Sequence, residues 1–206
     1  MKQFSLKDID ALEKLYRINL INSCSGFKSA NLIGSISKKG EENVAVFSSV
    51  THIGSHPPLL GFFCRPTKVT RHTYENIKET GVFTLNHIHT SILGAAHHTS
   101  AKYDREISEF DMTSLTSEYK ENCIAPFVKD CPVQIEMEFK EEYPIKANDT
   151  VLVIAEIKQL YINEALLEED GFINLSKGNV VAINGLDAYN TTVLKQRLEY
   201  QRPKKQ

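Results

Sequence analysis

Hydroxyl, imidazole and guanidinium side chains are concentrated between residues 48 and 86, where polar loops interrupt two apolar runs. One group follows directly after an alternating apolar run and consists of Ser48, Ser49, Val50, Thr51 and His52. Hydroxyl and main-chain groups at the end of a strand can line the polar edge of a heterocycle. A polar turn is the alternative interpretation of the same residues.

Basic side chains gather just after the next apolar run. Arg65, Lys68 and Arg71 occur together with Thr70 and Thr73, where a helix is predicted to begin. A solvated basic loop is one interpretation of this cluster. The other is an anion site, because a helix N-terminus, hydroxyls and guanidinium groups together commonly bind phosphate. The two groups together suggest a site for a phosphorylated, ring-bearing cofactor.

Alternating and near-continuous apolar runs predict a mainly β protein of the α+β type. Helical spacing predicts helices over residues 5–21, 70–80 and 92–101, with Gly81 at the C-terminal end of the second. The run at residues 59–64 predicts a strand buried on both faces. The predicted strands cover residues 29–37, 43–50, 59–64, 82–87, 133–140, 151–161, 172–175 and 180–183. A helix is the alternative interpretation of residues 151–161.

Common nucleotide-binding and catalytic motifs are missing from the sequence. Neither G-x-G-x-x-G nor G-x-x-x-x-G-K-[ST] occurs, so Rossmann-type binding and P-loop chemistry are not expected. Ser48 and Ser49 lack the G-x-S-x-G elbow of hydrolases. His87 and His89 would share one face of a strand, but no zinc-ligand spacing accompanies them. We therefore predict no metal site and no serine nucleophile.

Composition limits the class of protein further. Lys and Arg number 24 and Asp and Glu 26, a formal net charge of -2, so neither nucleic acid nor a membrane is an expected partner. No apolar run approaches a membrane span or a signal-peptide core. Four cysteines without C-x-x-C spacing predict reduced thiols. We predict one cytoplasmic domain over residues 1–206, with a helical arm (1–22) and a C-terminal tail (190–206).

Several short motifs follow one another in a specific order. They are N-x-A-x-x-S-S (43–49), PPLLGF (57–62), R-P…T-R-H-T…N-I (65–77), T-G-x-F-T-x-N (80–86), H-H-T-S-A-K-Y (97–103), S-E-F (108–110) and G-L-D-A-Y (185–189). Each fragment alone is weakly specific. Their combined order, over residues 24–200, resembles the flavin-reductase-like family and its flavoredoxin-type members.

The resemblance implies a six-stranded antiparallel FMN-binding split barrel with flanking helices. It also implies a homodimer with one non-covalent FMN per subunit at the interface, FAD being less favoured. Residues 48–52 would lie along the isoalloxazine, with backbone N–H groups near its N5 and O4 edge. The other implied ligands are Arg65, Thr70, Arg71 and His72 at the ribityl phosphate, Asn86 under the ring, and Ser100, Ala101, Lys102 and Tyr103 closing over the site.

The predicted activity is that of an NAD(P)H-dependent flavin reductase. Flavin enzymes leave hydride chemistry to the cofactor, so the resemblance implies no catalytic side chain. The nicotinamide donor would stack on the exposed flavin face. One alternative is a flavoredoxin-like electron carrier that keeps FMN as a prosthetic group and passes electrons to a partner protein. A less favoured alternative is a barrel that binds a different, non-redox ligand.

Overall fold

A seven-stranded antiparallel sheet dominates the computed structural model, which describes residues 1–203; residues 204–206 of the predicted tail lie outside the described residues. The helices are α1 (Leu6–Ala11), α2 (Lys14–Ser23), α3 (His72–Thr80) and α4 (Leu93–His98). The strands are β1 (Phe27–Ser29), β2 (Asn31–Ile36), β3 (Glu42–Phe47), β4 (Thr51–Ser55), β5 (Pro58–Cys64), β6 (Val82–His87), β7 (Ser117–Glu118), β8 (Phe127–Val128), β9 (Val133–Ile145), β10 (Thr150–Ile162), β11 (Val181–Asn184) and β12 (Ala188–Thr191).

The order of strands in the main sheet is β3-β2-β6-β9-β10-β5-β4. A three-stranded sheet, β1-β11-β12, and a two-stranded sheet, β7-β8, accompany it. The main sheet therefore has seven strands where six were predicted. The additional strand is β4, which pairs antiparallel with β5 through the short turn at His56 and Pro57.

The main sheet curves until its two ends share one core. Phe47 on β3 and Phe62 on β5 lie four intervening strands apart in the sheet, yet their ring centroids are 5.1 Å apart. Phe62 also contacts Phe83 on β6, with ring centroids 5.7 Å apart. Both contacts are edge-to-face, the arrangement that aromatic quadrupoles favour. The interior is filled by alternate residues of β5, β6, β9 and β10, as expected when every second side chain points inward.

A second apolar layer covers the outer face of β2. Leu32 and Val44 pack there with Ile88, Ala96 of α4 and Ile183 of β11. Neighbouring Ile33 points the other way, into the barrel core. Strand β2 is therefore buried on both faces, which fixes its register.

Helix α3 is attached to the hairpin of β2 and β3 by buried polar contacts. Asn43 Nδ2 donates to Thr73 Oγ1 at 2.9 Å, and Asn76 Nδ2 donates to Ser35 Oγ at 3.2 Å. Ile77 is fully buried beside them. The helix ends at Gly81, which has a φ of 75° as a left-handed C-terminal glycine should. These contacts fix the position of the N-terminal end of α3.

The predicted N-terminal helix is divided into α1 and α2. Ser5 and Asp8 form a capping box at the start of α1, which confirms the predicted starting point. The first helix ends before Leu12, and Glu13 caps the second by accepting from the N–H groups of Leu15 and Tyr16. Neither helix contains a buried residue. Across residues 1–203, we find no helix with the length and apolar character needed to cross a membrane.

Three other predictions about elements were wrong. Residues 172–175 are not a strand: Ile173 forms one isolated bridge with Leu167, and a 3₁₀ turn begins at Leu175. Strand β12 occupies the start of the predicted tail, because it pairs with β11. Strand β5 is not buried on both faces, since Phe63 is 41% exposed.

Gly34 lies where the barrel wall approaches the loop before β8. A Cβ at this position would lie well inside van der Waals contact distance of the Pro126 carbonyl oxygen and 2.7 Å from Thr84 Oγ1. Thr84 Oγ1 already donates to that carbonyl at 2.6 Å, so neither atom can easily move. We expect Gly34→Ala to lower the free energy of unfolding by about 2–3 kcal/mol, as overpacking does. Urea denaturation followed by circular dichroism measures the change.

Gly94→Ala is the matched control. A Cβ on Gly94 meets no atom within 4 Å, and the residue lies in α4. Alanine favours helix over glycine, so this variant should gain about 0.5–1 kcal/mol. Equal stability of the two variants would contradict the close approach at Gly34.

Candidate functional site

A cavity of about 1380 Å³ opens where the two ends of the curved sheet meet. Its walls include β1, β3 and the residues after it, the end of β5, the N-terminal end of α3, the loop after α4 and the turn between β11 and β12. The cavity contains the predicted site residues Ser48, Ser49, Val50, Thr51, Arg65, Thr70, Arg71, His72, Ser100, Ala101, Lys102 and Tyr103. The structure therefore brings together all but two of the predicted site residues.

Ser49 fixes the segment that leaves β3. Its hydroxyl oxygen accepts from Phe63 N at 3.0 Å and donates to Phe63 O at 3.2 Å. The segment between β3 and β4 is thereby attached to β5 across the gap between the sheet ends. Phe63 and Val50 then supply apolar surface beside the hydroxyl groups of Ser48 and Thr51. This wall can receive a flat ring that has one polar edge.

The structure places His52 outside the cavity, on β4, a strand that the sequence did not predict. Residues 51–55 alternate between two faces, so Thr51 lines the cavity and His52 does not. The His52 side chain is exposed, and its Nε2 lies 3.2 Å from Ser55 Oγ.

The structure also places Asn86 outside the cavity. Asn86 is fully buried, and its side chain is used within the fold rather than in the cavity. Its Nδ2 donates to Leu32 O at 3.2 Å and Thr84 Oγ1 at 3.0 Å, while its Oδ1 accepts from Val128 N at 3.0 Å. Asn86 thus attaches β8 to the barrel wall.

The basic side of the cavity is centred on Arg71. Arg71 precedes the first turn of α3, where no side chain caps the free N–H groups. Its Nε is buried and has no hydrogen-bond partner. A buried guanidinium nitrogen without a partner is costly, so an anion in the cavity would satisfy it. Lys68, in contrast, lies outside the cavity and forms a 2.5 Å ion pair with Asp149.

The loop after α4 carries the second half of the predicted anion site. Ser100, Ala101 and Lys102 line the cavity opposite the start of α3. Tyr103 is held there by a 2.6 Å hydrogen bond between its hydroxyl group and His98 Nε2. The preceding residue of α4, His97, has its Nδ1 3.1 Å from Tyr189 Oη of β12.

Glu109 is a buried cavity residue that the sequence predictions did not include. Its Oε2 accepts from Val44 N at 3.1 Å, and burial raises the pKa of its carboxyl group. The signal that could have found it is the S-E-F motif at residues 108–110, just as G-L-D-A-Y contains the cavity residue Tyr189. Both motifs had been used only to support the resemblance.

The cavity thiol is unreactive at neutral pH. Burial raises the pKa of Cys64 to about 11, and the charge of Arg71 opposes this rise only in part. Cys64 is therefore protonated at neutral pH and does not act as a nucleophile.

The comparisons with known proteins agree with this geometry. The flavin reductase like domain matches residues 26–184. A solved structure from Shewanella frigidimarina NCIMB 400, described as a candidate flavin reductase with a split barrel domain, is 44% identical. It covers 98% of this chain and 100% of its own, with a TM-score of 0.94.

Two more distant structures share the fold. Nitrilotriacetate monooxygenase component B from Bacillus cereus has a TM-score of 0.82 at 20% identity, covering 96% of this chain and 98% of its own. Flavoredoxin of Desulfovibrio vulgaris (Miyazaki F) has a TM-score of 0.73 at 20% identity, covering 84% and 91%. The predicted mainly β split-barrel fold is confirmed, and this chain belongs to the flavin reductase-like family.

Proposed function

We propose that this protein binds FMN in the cavity and acts as an NAD(P)H-dependent flavin reductase. The observation that carries the proposal is the buried Arg71 Nε without a partner, beside the uncapped start of α3 and opposite Ser100 and Lys102. This donor set suits a single terminal phosphate. The test below separates FMN from FAD.

The remaining walls fit the rest of FMN. Val50 and Phe63 offer apolar surface to a ring, and the hydroxyl groups of Ser48 and Thr51 lie along its edge. Binding pockets for small molecules commonly enclose about 300–1000 Å³, so a cavity of about 1380 Å³ has space for the ring, the ribityl chain and a second ligand.

The role of the chain is to bind, orient and exclude water. FMN, when bound, supplies the hydride-accepting ring. Arg71, Thr70 and Lys102 hold the phosphate, and residues 48–51 orient the ring. Burial raises the pKa of Tyr189, so its hydroxyl is a neutral donor or acceptor at neutral pH. All four cysteines are free thiols, which supports function in the reducing cytoplasm.

The first expected result is a yellow protein. Purified protein should show the two visible absorption bands of oxidised flavin, and the flavin released by heat should be FMN. Under anaerobic conditions, NADH or NADPH should bleach the visible bands with saturable kinetics. A colourless protein that takes up neither FMN nor FAD on titration would refute the flavin proposal.

The same experiment distinguishes the alternative function. A flavoredoxin-like carrier would hold a flavin that dithionite reduces, but neither NADH nor NADPH would reduce it. The resemblance to a flavoredoxin at 20% identity concerns the fold, so this alternative rests on the resemblance alone.

Arg71→Ala tests the phosphate site. We expect it to weaken FMN binding by about 1–3 kcal/mol, the scale of a lost charge-assisted hydrogen bond. Riboflavin lacks the phosphate and should lose much less. Quenching of flavin fluorescence measures both affinities. Lys68→Ala is the matched control, since Lys68 pairs with Asp149 outside the cavity. An equal loss for both flavins would show that Arg71 does not contact the phosphate.

We further propose that the protein is a homodimer with the flavin at the interface. Four exposed apolar side chains lie on the rim of the cavity: Phe27, Phe63, Val69 and Leu186. Apolar side chains grouped around an open cavity commonly mark a protein interface. A second copy of the chain would cover this rim and the open side of the ring.

Phe27→Asp tests the dimer. The wild-type protein should have twice the mass of one chain by size-exclusion chromatography with light scattering. Phe27 is 68% exposed, so the variant should fold, dissociate into monomers and bind FMN more weakly. Ile124→Asp, at an exposed residue outside the cavity, should remain dimeric. A monomeric wild-type protein that retains FMN would contradict this proposal.

A further inference from the structure

Arg105 lines the cavity, but its guanidinium group is already paired with other side chains of the protein. Its Nε donates to Glu41 Oε2 at 3.1 Å, and its Nη1 donates to Glu75 Oε2 at 2.6 Å. Its Nη2 donates to Asn76 Oδ1 at 2.9 Å and lies 3.9 Å from Glu79. All three nitrogens therefore have partners. Although Arg105 lines the cavity, it differs from Arg71, whose Nε has none.

The partners of Arg105 lie on two elements that do not move independently. Glu75 and Asn76 belong to α3, the helix that begins at Arg71. Glu41 lies in the turn before β3, where the Ser37 hydroxyl donates to its Oε2 at 2.8 Å. The Ser37 hydroxyl and the Arg105 guanidinium both lower the pKa of Glu41, so this partner stays ionised at neutral pH.

Arg105 itself belongs to the loop that carries the other half of the phosphate site. Only two residues separate it from Lys102. The loop runs from residue 99 to residue 116 between α4 and β7, and a loop of this length needs contacts to adopt one conformation. The His98 to Tyr103 hydrogen bond fixes one point, and the Arg105 contacts fix a second.

We propose that Arg105 is a positioning residue that joins the two halves of the phosphate site. It holds the loop of Ser100 and Lys102 against α3, so that these residues and Arg71 face one phosphate. The inference rests on the proposed flavin function. Protein residues that are already held in position bind a ligand more tightly, because the free-energy cost of ordering them is met during folding. Arg105 itself does not contact the phosphate.

Arg105→Ala should raise the dissociation constant of FMN about tenfold and that of riboflavin less than about threefold. Arg105→Lys, which can reach one carboxylate instead of several, should give an intermediate value. Trypsin should cleave after Lys102 faster in Arg105→Ala than in the wild type, while the melting temperature stays nearly unchanged, because the released loop opens locally. Arg197→Ala, which removes the ion pair with Asp170 outside the cavity, is the matched control and should change none of these values.

A second variant separates positioning from simple attraction between Arg105 and the phosphate. Glu75→Ala removes one partner of Arg105 and also one negative charge near the site. If Arg105 acts by charge alone, this variant should bind FMN more tightly. If Arg105 positions the loop, it should bind FMN more weakly, by about threefold to tenfold, and expose Lys102 to trypsin.

The outcomes distinguish this inference from the proposed function. If the wild-type protein binds FMN more tightly than riboflavin but Arg105→Ala keeps the same ratio, the inference is overturned and the flavin site stands. Tighter or unchanged FMN binding by Glu75→Ala also overturns it. If the wild-type protein binds no flavin at all, the proposed function fails first.

Discussion

The contact between Phe47 and Phe62 is the constraint on which the site depends. It joins the two ends of the main sheet, whose strands β3 and β5 are separated by four others. Because the ends meet through side chains and not through a backbone ladder, a gap remains between them. The residues after β3 must cross this gap, and the two hydrogen bonds between Ser49 and Phe63 hold them there. The cavity wall formed by residues 48–51 and Phe63 is thus a consequence of how the barrel closes.

The basic side chains around the cavity differ in whether they are ion-paired, and this difference shows which side could bind an anion. Lys68 is neutralised by Asp149, and Arg105 is neutralised by carboxylates of the hairpin turn and α3. Arg71 instead keeps a buried nitrogen without a partner next to a helix N-terminus. Burying an unpaired cationic donor is unfavourable, so Arg71 Nε is the group that an anionic ligand in the cavity would satisfy. The sequence groups Lys68 with Arg71, but only the contacts separate their roles.

Elements with a regular hydrophobic pattern could be predicted from sequence. The positions of side chains that depend on strand pairing or on distant contacts could not. The hairpin of β2 and β3, helix α3 with its terminal glycine, and strand β6 followed from hydrophobic periodicity. Strand β4 was missed because T-H-I-G-S lacks an alternating apolar pattern, and its pairing with β5 turns His52 away. Asn86 differs for another reason: a polar residue at a strand end suits a ligand, and nothing local reveals that Leu32, Thr84 and Val128 already satisfy its side chain.

The protonation states of Cys64 and Tyr189 favour a binding role for the cavity over nucleophilic chemistry by these side chains. Burial raises the pKa values of Cys64 and Tyr189, so both side chains remain protonated at neutral pH. Burial also raises the pKa of Glu109, while the hydrogen bond from Val44 N opposes the rise. A nucleophilic thiol would need the opposite shift, a lowered pKa that ionises it at neutral pH. Burial thus favours the protonated thiol and phenol of the cavity, and the unpaired guanidinium nitrogen of Arg71 lies at the start of α3. This arrangement suits a protein that orients a reactive cofactor and leaves bond making to it.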